Sequence, residues 1–312
     1  MSLGGDNKKS IIFIVIALIA GVVGGTMLGA TVGKDWFQSS LETYEINGST
    51  TVQPVMTLFA SYYNDMNPEV EISVVGTGSG TGKTMVGEGS IELGMSSSML
   101  SANDLATKGA NLRNWTIGLD GIGLIVNDAT WSAISDLSTT GLTLTQLCNI
   151  YNGTYDTWDD VYAGAPAQTI TVVGREEGSG TRAFFYDTVL EPSGSDFDAG
   201  MLLKSSNSLV KAEVEGTDYA IGYVGYAYTL TGSVNAIALD GSALTKNNIG
   251  SGTYPISRNL YLITDGVPQE GTLARGIIDF IHTPFGQTLV EEAGYIGLSQ
   301  EQLNMYNITA AA

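Results

Sequence analysis

The sequence is poor in the two residue types on which most hydrolase and metal sites depend. Its 312 residues include one cysteine, Cys148, and one histidine, His282. A single cysteine excludes an intramolecular disulfide, and one residue of each type argues against a zinc site or a Ser–His–Asp triad. Cys148 stands in the apolar run LTLTQLCNIY and is interpreted as a small buried side chain. We therefore expect a protein without enzymatic activity, metal or cofactor.

Basic residues are also scarce. Lys and Arg total 13 against 32 for Asp and Glu, which gives a formal net charge of −19. Nucleic acids and anionic lipid headgroups attract basic surfaces, so neither is an expected partner. Charged residues make up only 14% of the chain and hydrophobic residues 43%, which is typical of a folded chain with a large core.

One long apolar run stands at the N-terminus. Residues 11–32 are 22 consecutive uncharged positions, enough to cross a hydrocarbon core of ~30 Å at ~1.5 Å per residue. Lys8 and Lys9 precede the run, which keeps residues 1–10 in the cytoplasm and places the rest outside. We expect a transmembrane anchor at 11–32 and a stalk at 33–43, which tether an extracytoplasmic body. A cleaved signal segment and secretion are the alternative.

Two stretches of the body share one pattern. ISVVGTGSGTGKTMV spans residues 72–86, and ITVVGREEGSGTRAFF spans residues 170–185. In each, a β-branched run is followed by glycine, the tetrapeptide GSGT and a continuation with helical character. A third element opens the body, where Ser49–Thr51 precede apolar residues at helical spacing. Each element is predicted to be a strand, a glycine turn and the start of a helix.

These three turns combine the groups that bind oxyanions. Ser and Thr cap helix starts, whose first N–H groups have no partner inside the helix. Glycine lets another group approach the backbone closely, and the positive end of the helix dipole favours an anion. Arg175 adds a guanidinium, whose planar fork matches an oxyanion. One shared oxyanion site is therefore predicted.

The segment TGSGTGKT, residues 77–84, is a near match to a nucleotide-binding P-loop. The motif G-x-x-x-x-G-K-[ST] requires glycine at its first position, where this chain has Thr77. The metal-binding Asp that such an enzyme needs is poorly matched by Asp128, because Asn127 interrupts the apolar strand before it. A P-loop nucleotidase is thus kept as a distant alternative.

The body as a whole resembles the phosphate-binding proteins of phosphate ABC transporters. The resemblance covers almost all of residues 44–298 in the family's order. It is carried by the segments NGSTTVQP, VVGTGSGTGKTMVGEGSIELGMSSSML, LDGIGLIVN, LTLTQLCNIYNGTYDTWDDV, VVGREEGSGTRAFF, YAIGYVGYAY, YPISRNLYLIT and GIIDFIHTPFGQTLVEEAGYIGL.

This resemblance implies an α/β fold, the two-lobed class II periplasmic-binding-protein fold, here with an N-terminal transmembrane helix. Lobe 1 is expected to comprise residues 44–122 plus 258–312, and lobe 2 residues 123–257. The chain is expected to cross between them near Leu119–Asn127 and Pro255–Ile263. The implied function is extracytoplasmic capture of inorganic phosphate and its delivery to the permease subunits of an ABC transporter.

The resemblance also carries the family's binding residues to positions of this chain. Glu177 stands at an acidic position that pairs with the binding arginine. The phosphate-binding residues implied are Thr50, Thr51, Ser79, Ser97, Arg175, Ser179, Gly180 and Thr181.

Ser97 leaves the choice of oxyanion open. Some family members carry at this position an Asp that accepts the proton of hydrogen phosphate, whereas others carry Ser as this chain does. A serine hydroxyl can donate or accept, so it discriminates less sharply against an anion without a proton. Sulfate, molybdate and tungstate are the alternative ligands, and a sensory or structural surface protein is the alternative without transport.

Overall fold

A computed structural model describes residues 42–304 of the chain. The expected anchor at 11–32 and the cytoplasmic segment 1–10 lie outside the described residues, as does nearly all of the stalk at 33–43. Within 42–304, none of the helices combines the length and the apolar character that crossing a membrane requires.

Nine strands are formed in the described part of the chain. They are β1 (Glu42–Gly48), β2 (Val70–Gly76), β3 (Leu93–Ser96), β4 (Leu112–Asn127), β5 (Thr171–Arg175), β6 (Leu202–Lys204), β7 (Ala220–Gly225), β8 (Val234–Ile237) and β9 (Ser257–Asp265).

Twelve α-helices alternate with these strands between residues 42 and 304. They are α1 (Gln53–Met66), α2 (Ser79–Gly87), α3 (Ala102–Thr107), α4 (Asp128–Ala133), α5 (Ser135–Thr139), α6 (Leu144–Tyr151), α7 (Trp158–Val161), α8 (Gly180–Phe185), α9 (Asn207–Gly216), α10 (Lys246–Gly250), α11 (Leu273–Ile281) and α12 (Pro284–Glu292). A π-helical turn, Tyr186–Leu190, continues α8.

The strands are ordered β2-β1-β3-β9-β4-β7-β5-β6, and β8 also pairs with β4. Around β1 the pairing with β2 and β3 is parallel, and around β5 the pairing with β6 and β7 is parallel. Antiparallel pairing joins these two groups through β9 and β4. Each parallel group has the strand–helix alternation of an α/β lobe.

The long strand β4 belongs to both groups of strands. Its residues up to Gly121 pair with β9, whereas its residues from Ile122 onward pair with β7 and β8. Two separate apolar cores accompany the two groups: one includes Ile46, Met95 and Leu262, and the other includes Leu124, Trp158, Tyr223 and Ile237. The molecule is thus a two-lobed α/β protein, with one lobe built around each group of strands.

The three strand–turn–helix elements predicted from the sequence are present as β1–α1, β2–α2 and β5–α8. In α1 the apolar residues at helical spacing, Val55, Met56 and Phe59, are at most 2% exposed. Burial of such a stripe is what stabilises a short helix in a protein, because its first turn is costly to form alone.

Cys148 and His282 both serve the packing of the protein. Cys148 is buried in the core of the second lobe, with its sulfur 3.2 Å from Ser193 Oγ. The ring nitrogens of His282 lie 2.7 Å from the carbonyl oxygens of Ile278 and Thr116.

Candidate functional site

The polar residues singled out in the sequence follow strands β1, β2, β3 and β5. In open α/β sheets, ligands bind in the crevice beyond the carboxyl ends of the strands. These loops meet between the two lobes and bury their polar side chains. The following side chains are no more than 4% exposed: Thr50, Thr51, Ser79, Ser97, Arg175, Ser179 and Thr181.

The loop between β1 and α1 is held tightly against β3. Gly48 has φ +135°, and a Cβ there would lie 2.3 Å from the carbonyl oxygen of Met95, so only glycine fits. Ser49 Oγ then accepts hydrogen bonds from the backbone N–H groups of Thr51 and Val52, at 3.2 and 3.4 Å. This turn places the Thr51 hydroxyl toward the other lobe.

The serines after β1, β2 and β3 form a hydrogen-bonded cluster. Ser49 Oγ donates to Ser97 Oγ at 3.0 Å, and the backbone N–H of Ser97 donates to Ser79 Oγ at 3.1 Å. The two hydroxyl oxygens of Ser79 and Ser97 are 3.3 Å apart. Three loops of one lobe thus present neighbouring hydroxyls.

The loop after β5 brings the second lobe against this cluster. Ser179 caps α8, since its Oγ accepts from the backbone N–H of Arg182 at 3.2 Å. Thr181 Oγ1 lies 3.0 Å from Thr51 Oγ1 across the cleft. The backbone N–H of Gly80 also donates to the carbonyl of Gly178 at 2.9 Å, so the two lobes touch through their backbones.

Arg175 ends strand β5 and is 1% exposed. Its Nε and Nη2 donate to the carbonyl oxygens of Lys204 and Ser205, at 3.1 and 2.9 Å, and its Nη1 donates to Thr50 Oγ1 at 3.3 Å. Burial lowers the pKa of this guanidinium from its ordinary value. None of the ion pairs formed among residues 42–304 includes Arg175.

Glu177 is placed differently from the expectation. The resemblance implied that its carboxylate pairs with Arg175, but Glu177 is exposed and the guanidinium is held by two backbone carbonyls instead. The reason is local: β6 passes beside β5, so the carbonyl oxygens at the end of β6 reach the guanidinium first.

Sequence reasoning missed a second buried arginine. Arg258, on β9, is 5% exposed, and its Nη2 is 2.8 Å from Asp120 Oδ2 on β4. Its Nη1 donates to the carbonyl oxygens of Ser97 and Gly180, both at 3.2 Å. Burial raises the pKa of the Asp120 carboxyl, while the charge of Arg258 opposes that shift. Single charged residues in the apolar runs LDGIGLIVN and YPISRNLYLIT were the signal that could have found this pair.

Asn207 was missed as well. It is the first residue of α9 and is 0% exposed. Its Nδ2 donates to the hydroxyl oxygens of Thr50 and Thr51, at 3.1 and 3.0 Å, which bridges the cleft. Ser206 caps this helix, and nothing next to Asn207 in the sequence distinguishes it from any polar residue in a first helical turn, so the sequence offered no sign of this bridge.

Lys83, the lysine of the P-loop-like segment, bonds to the loop after β3 and to α3. Its Nζ donates to Asp104 Oδ2 at 2.9 Å, to the carbonyl oxygen of Met99 at 3.0 Å and to Ser98 Oγ at 3.1 Å. A P-loop lysine must reach phosphate groups. Here the lysine fastens the loop after β3, which gives no support to nucleotide binding.

A cleft of ≈ 580 Å³ adjoins these groups, lined among others by Ser97, Phe184, Arg258 and Tyr261. Across residues 42–304, no group of three or more His, Cys, Asp or Glu side chains is placed to hold a metal ion. The arrangement is therefore a buried cluster of hydroxyls and guanidinium groups. Such groups bind an oxyanion through hydrogen bonds that are stronger than they would be in water.

Comparisons with known proteins agree with this geometry. The family model of the PBP superfamily domain matches residues 38–284. Over 286 residues the chain is 28% identical to the phosphate-binding protein PstS of Bacillus subtilis (strain 168), an alignment that covers 91% of this chain and 90% of that relative.

Solved structures give the same result. A protein from Clostridium perfringens, described as a phosphate ABC transporter substrate-binding protein with bound phosphate, is 30% identical with a TM-score of 0.71; the match covers 83% of this chain and 100% of that one. An ABC-type phosphate transport receptor from Vibrio cholerae is 30% identical with a TM-score of 0.65, over 82% of this chain and 100% of that one.

Proposed function

This chain belongs to the PBP superfamily and, within it, to the substrate-binding proteins of phosphate ABC transporters, and we propose that it captures inorganic phosphate between its two lobes and delivers it to an ABC permease. Such a protein is a receptor in a transport system and catalyses no reaction. It works outside the cytoplasm, where it loads the permease.

The observation that carries this proposal is the unpaired charge of Arg175. Its guanidinium is almost fully buried and contacts carbonyl and hydroxyl oxygens but no carboxylate within the described residues. A buried charge without a counter-charge is costly, and a bound anion would remove that cost. A guanidinium fork can also hold a phosphate group through two parallel hydrogen bonds.

We assign the other ligand groups to the hydroxyls and N–H groups that surround Arg175. They belong to Thr50, Thr51, Ser79, Ser97, Ser179, Gly180 and Thr181. This assignment is supported by the meeting of the two lobes at these residues, where Thr51 Oγ1 lies 3.0 Å from Thr181 Oγ1. Neutral donors in a dry cleft can hold an anion although the whole chain is strongly acidic, because salt screens the long-range repulsion beyond ~8–10 Å.

Lobe closure is the proposed mechanism of capture. The proposed lobes are residues 44–122 plus 258–312, and residues 123–257, joined by β4 and β9. The change of pairing partners within β4, between Gly121 and Ile122, supports a hinge at this place. Closing two lobes around a ligand through a few connecting residues is a common way to sequester it.

The N-terminal segment is proposed to hold the receptor at the membrane. A membrane helix at 11–32 and a stalk at 33–43 would keep the body beside the permease at the outer face of the membrane. This part of the proposal depends on the length and apolar character of the segment and on Lys8 and Lys9 before it.

The test is calorimetric titration of the full chain in mild detergent. The protein is first unfolded and refolded in phosphate-free buffer to remove bound ligand, then titrated with phosphate and separately with sulfate. We expect saturable heat from phosphate with one site per chain, and none from sulfate at the same concentration. Equal binding of both would make the protein a general oxyanion receptor. Binding of neither would overturn the proposal.

A further inference from the structure

We infer that Asn207 and Arg258 are positioning residues, which fix the directions of three threonine hydroxyls of the cleft so that those of Thr50 and Thr181 donate toward a bound anion. The three hydroxyls belong to Thr50, Thr51 and Thr181. This inference rests on the proposed function, because it concerns how the same cleft recognises its anion.

The amide of Asn207 has one possible orientation. Its Oδ1 accepts from the backbone N–H of Gly225 at 3.2 Å, a group that can only donate. The Nδ2 must therefore face the opposite way, where its two hydrogens reach Thr50 Oγ1 at 3.1 Å and Thr51 Oγ1 at 3.0 Å. Both threonine hydroxyls are thus acceptors toward Asn207.

The guanidinium of Arg258 is held in place by Asp120. Its Nε and Nη2 both reach Asp120 Oδ2, at 3.1 and 2.8 Å. The remaining hydrogen of Nη2 faces Thr181 Oγ1 at 3.0 Å and Thr51 Oγ1 at 3.3 Å. Because a guanidinium has no acceptor, both threonine hydroxyls accept from it.

A hydroxyl has two acceptor positions and one proton. Thr51 Oγ1 receives Asn207 and Arg258, and Thr50 Oγ1 receives Asn207 and Arg175, so both oxygens have their acceptor positions filled. The proton of each can only be donated.

Thr181 Oγ1 follows the same logic. It accepts from Arg258 and from the hydroxyl of Thr51, 3.0 Å away, so the Thr51 proton is used between the two threonines and the Thr181 proton is left for the anion. The donors come from both lobes and reach across the cleft. The hydroxyls therefore need no reorientation when an oxyanion arrives, which removes part of the cost of ordering them.

A double-mutant cycle on phosphate affinity tests this role. In Asn207→Asp a carboxylate oxygen replaces the amide nitrogen, so the Thr50 proton turns to the carboxylate and is lost to the anion. We expect this change to weaken phosphate binding by about 30-fold or more. In the Thr50→Val background that proton is absent, and the same change should cost at least ~5-fold less, the coupling expected of residues in one hydrogen-bond network.

Thr50→Ser is the matched control for the cycle. It keeps the hydroxyl, so the full loss caused by Asn207→Asp should return in that background. Repulsion by the new carboxylate, or a general structural effect, would give equal losses in all three backgrounds, and this result would overturn the inference. Thermal unfolding by circular dichroism checks that each variant is folded.

A second cycle, Arg258→Lys with Thr181→Val, decides the matter if Asn207→Asp does not fold. Lysine keeps the charge but cannot reach Asp120 and both hydroxyls together. The loss of phosphate affinity caused by Arg258→Lys should therefore be smaller in the Thr181→Val background. If the unmutated chain binds neither phosphate nor sulfate, the proposed function fails and this inference with it. If the unmutated chain binds phosphate, and the losses of affinity in the two single variants simply add in the double variant, the inference alone fails.

Discussion

Two arginines lie buried in the cleft, and their surroundings differ. Arg175 reaches from β5 to two backbone carbonyls and a hydroxyl. Arg258 reaches from β9 to the same group of hydroxyls but is also 2.8 Å from the carboxylate of Asp120. The first charge has no counter-charge among the residues that the structure describes, and the second has one.

This difference predicts different roles for the two arginines. A compensated charge stabilises the frame around it, and breaking such a buried pair is strongly destabilising. An uncompensated charge is available to a ligand that brings the opposite charge. We therefore propose Arg175 as the primary anion-binding group of this cleft, and Arg258 as the residue that holds the neighbouring hydroxyls in place.

The largest expected effect comes from Arg175→Ala. It removes about two charge-assisted hydrogen bonds to phosphate, each worth ~1.5–3 kcal/mol, so affinity should fall ~10²–10⁴-fold. Calorimetric titration measures the loss, and the unfolding midpoint in phosphate-free buffer should change little. Arg113→Ala, an exposed position on β4, is the matched control. Phosphate affinity equal to that of the unmutated chain would show that Arg175 is not the binding arginine.

Asp120→Ala should act mainly on the stability of the fold, whereas Arg175→Ala acts mainly on phosphate affinity. It leaves the Arg258 guanidinium buried without a counter-charge, which costs ~3–5 kcal/mol of unfolding free energy. Urea denaturation in phosphate-free buffer measures this loss. Asp279→Ala, which removes an exposed carboxylate paired with Arg275, should cost no more than ~1 kcal/mol. Equal unfolding free energies of the two variants would contradict the proposed role of Asp120 as the counter-charge of Arg258.

Gly180→Ala tests the meeting of the two lobes. A Cβ at this position would lie 2.3 Å from Ser79 Oγ and 2.7 Å from Ser97 Oγ, so closure should be obstructed. Overpacking of this kind costs ~1–3 kcal/mol, and phosphate affinity should fall by ~5–150-fold with little loss of unfolding free energy. Gly216→Ala, where a Cβ meets nothing within 4 Å, should leave affinity unchanged. An unchanged affinity in Gly180→Ala would count against closure at this contact.

Ser97→Ala should have the smallest effect on affinity, and it should change the selectivity between phosphate and sulfate. Ser97 Oγ accepts from Ser49 Oγ and keeps one acceptor position, which suits the proton of hydrogen phosphate. Loss of one such hydrogen bond costs ~0.5–1.5 kcal/mol for phosphate, whereas sulfate has no proton to offer. Competition between the two anions measures their ratio of affinities. A ratio that does not change would remove Ser97 from the basis of selectivity.

Much of the site could be read from short segments. The three glycine turns and Ser179 were predicted because a strand, a turn and a helix start depend on residues a few positions apart. Arg175 was found because it stands inside one of those turns. Glu177 was placed wrongly beside it, because proximity along the chain does not decide which acceptor reaches a guanidinium.

The contacts that the sequence did not reveal join distant segments. Asp120 and Arg258 meet because β4 and β9 pair antiparallel, with these two residues in register. Asn207 meets Thr50 because α9 of one lobe lies against the first loop of the other. Local patterns carry no information about either event.

By itself the sequence determined the strand–turn–helix elements, the scarcity of histidine and cysteine, and the presence of hydroxyl side chains at helix starts. These features follow from composition and short-range spacing. The tertiary structure decided which arginine has a carboxylate partner and which has none among the described residues. It also decided which hydrogen-bond donors face each threonine hydroxyl. These properties depend on electrostatic and hydrogen-bond partners within a few ångströms, and the fold brings those partners from distant parts of the chain.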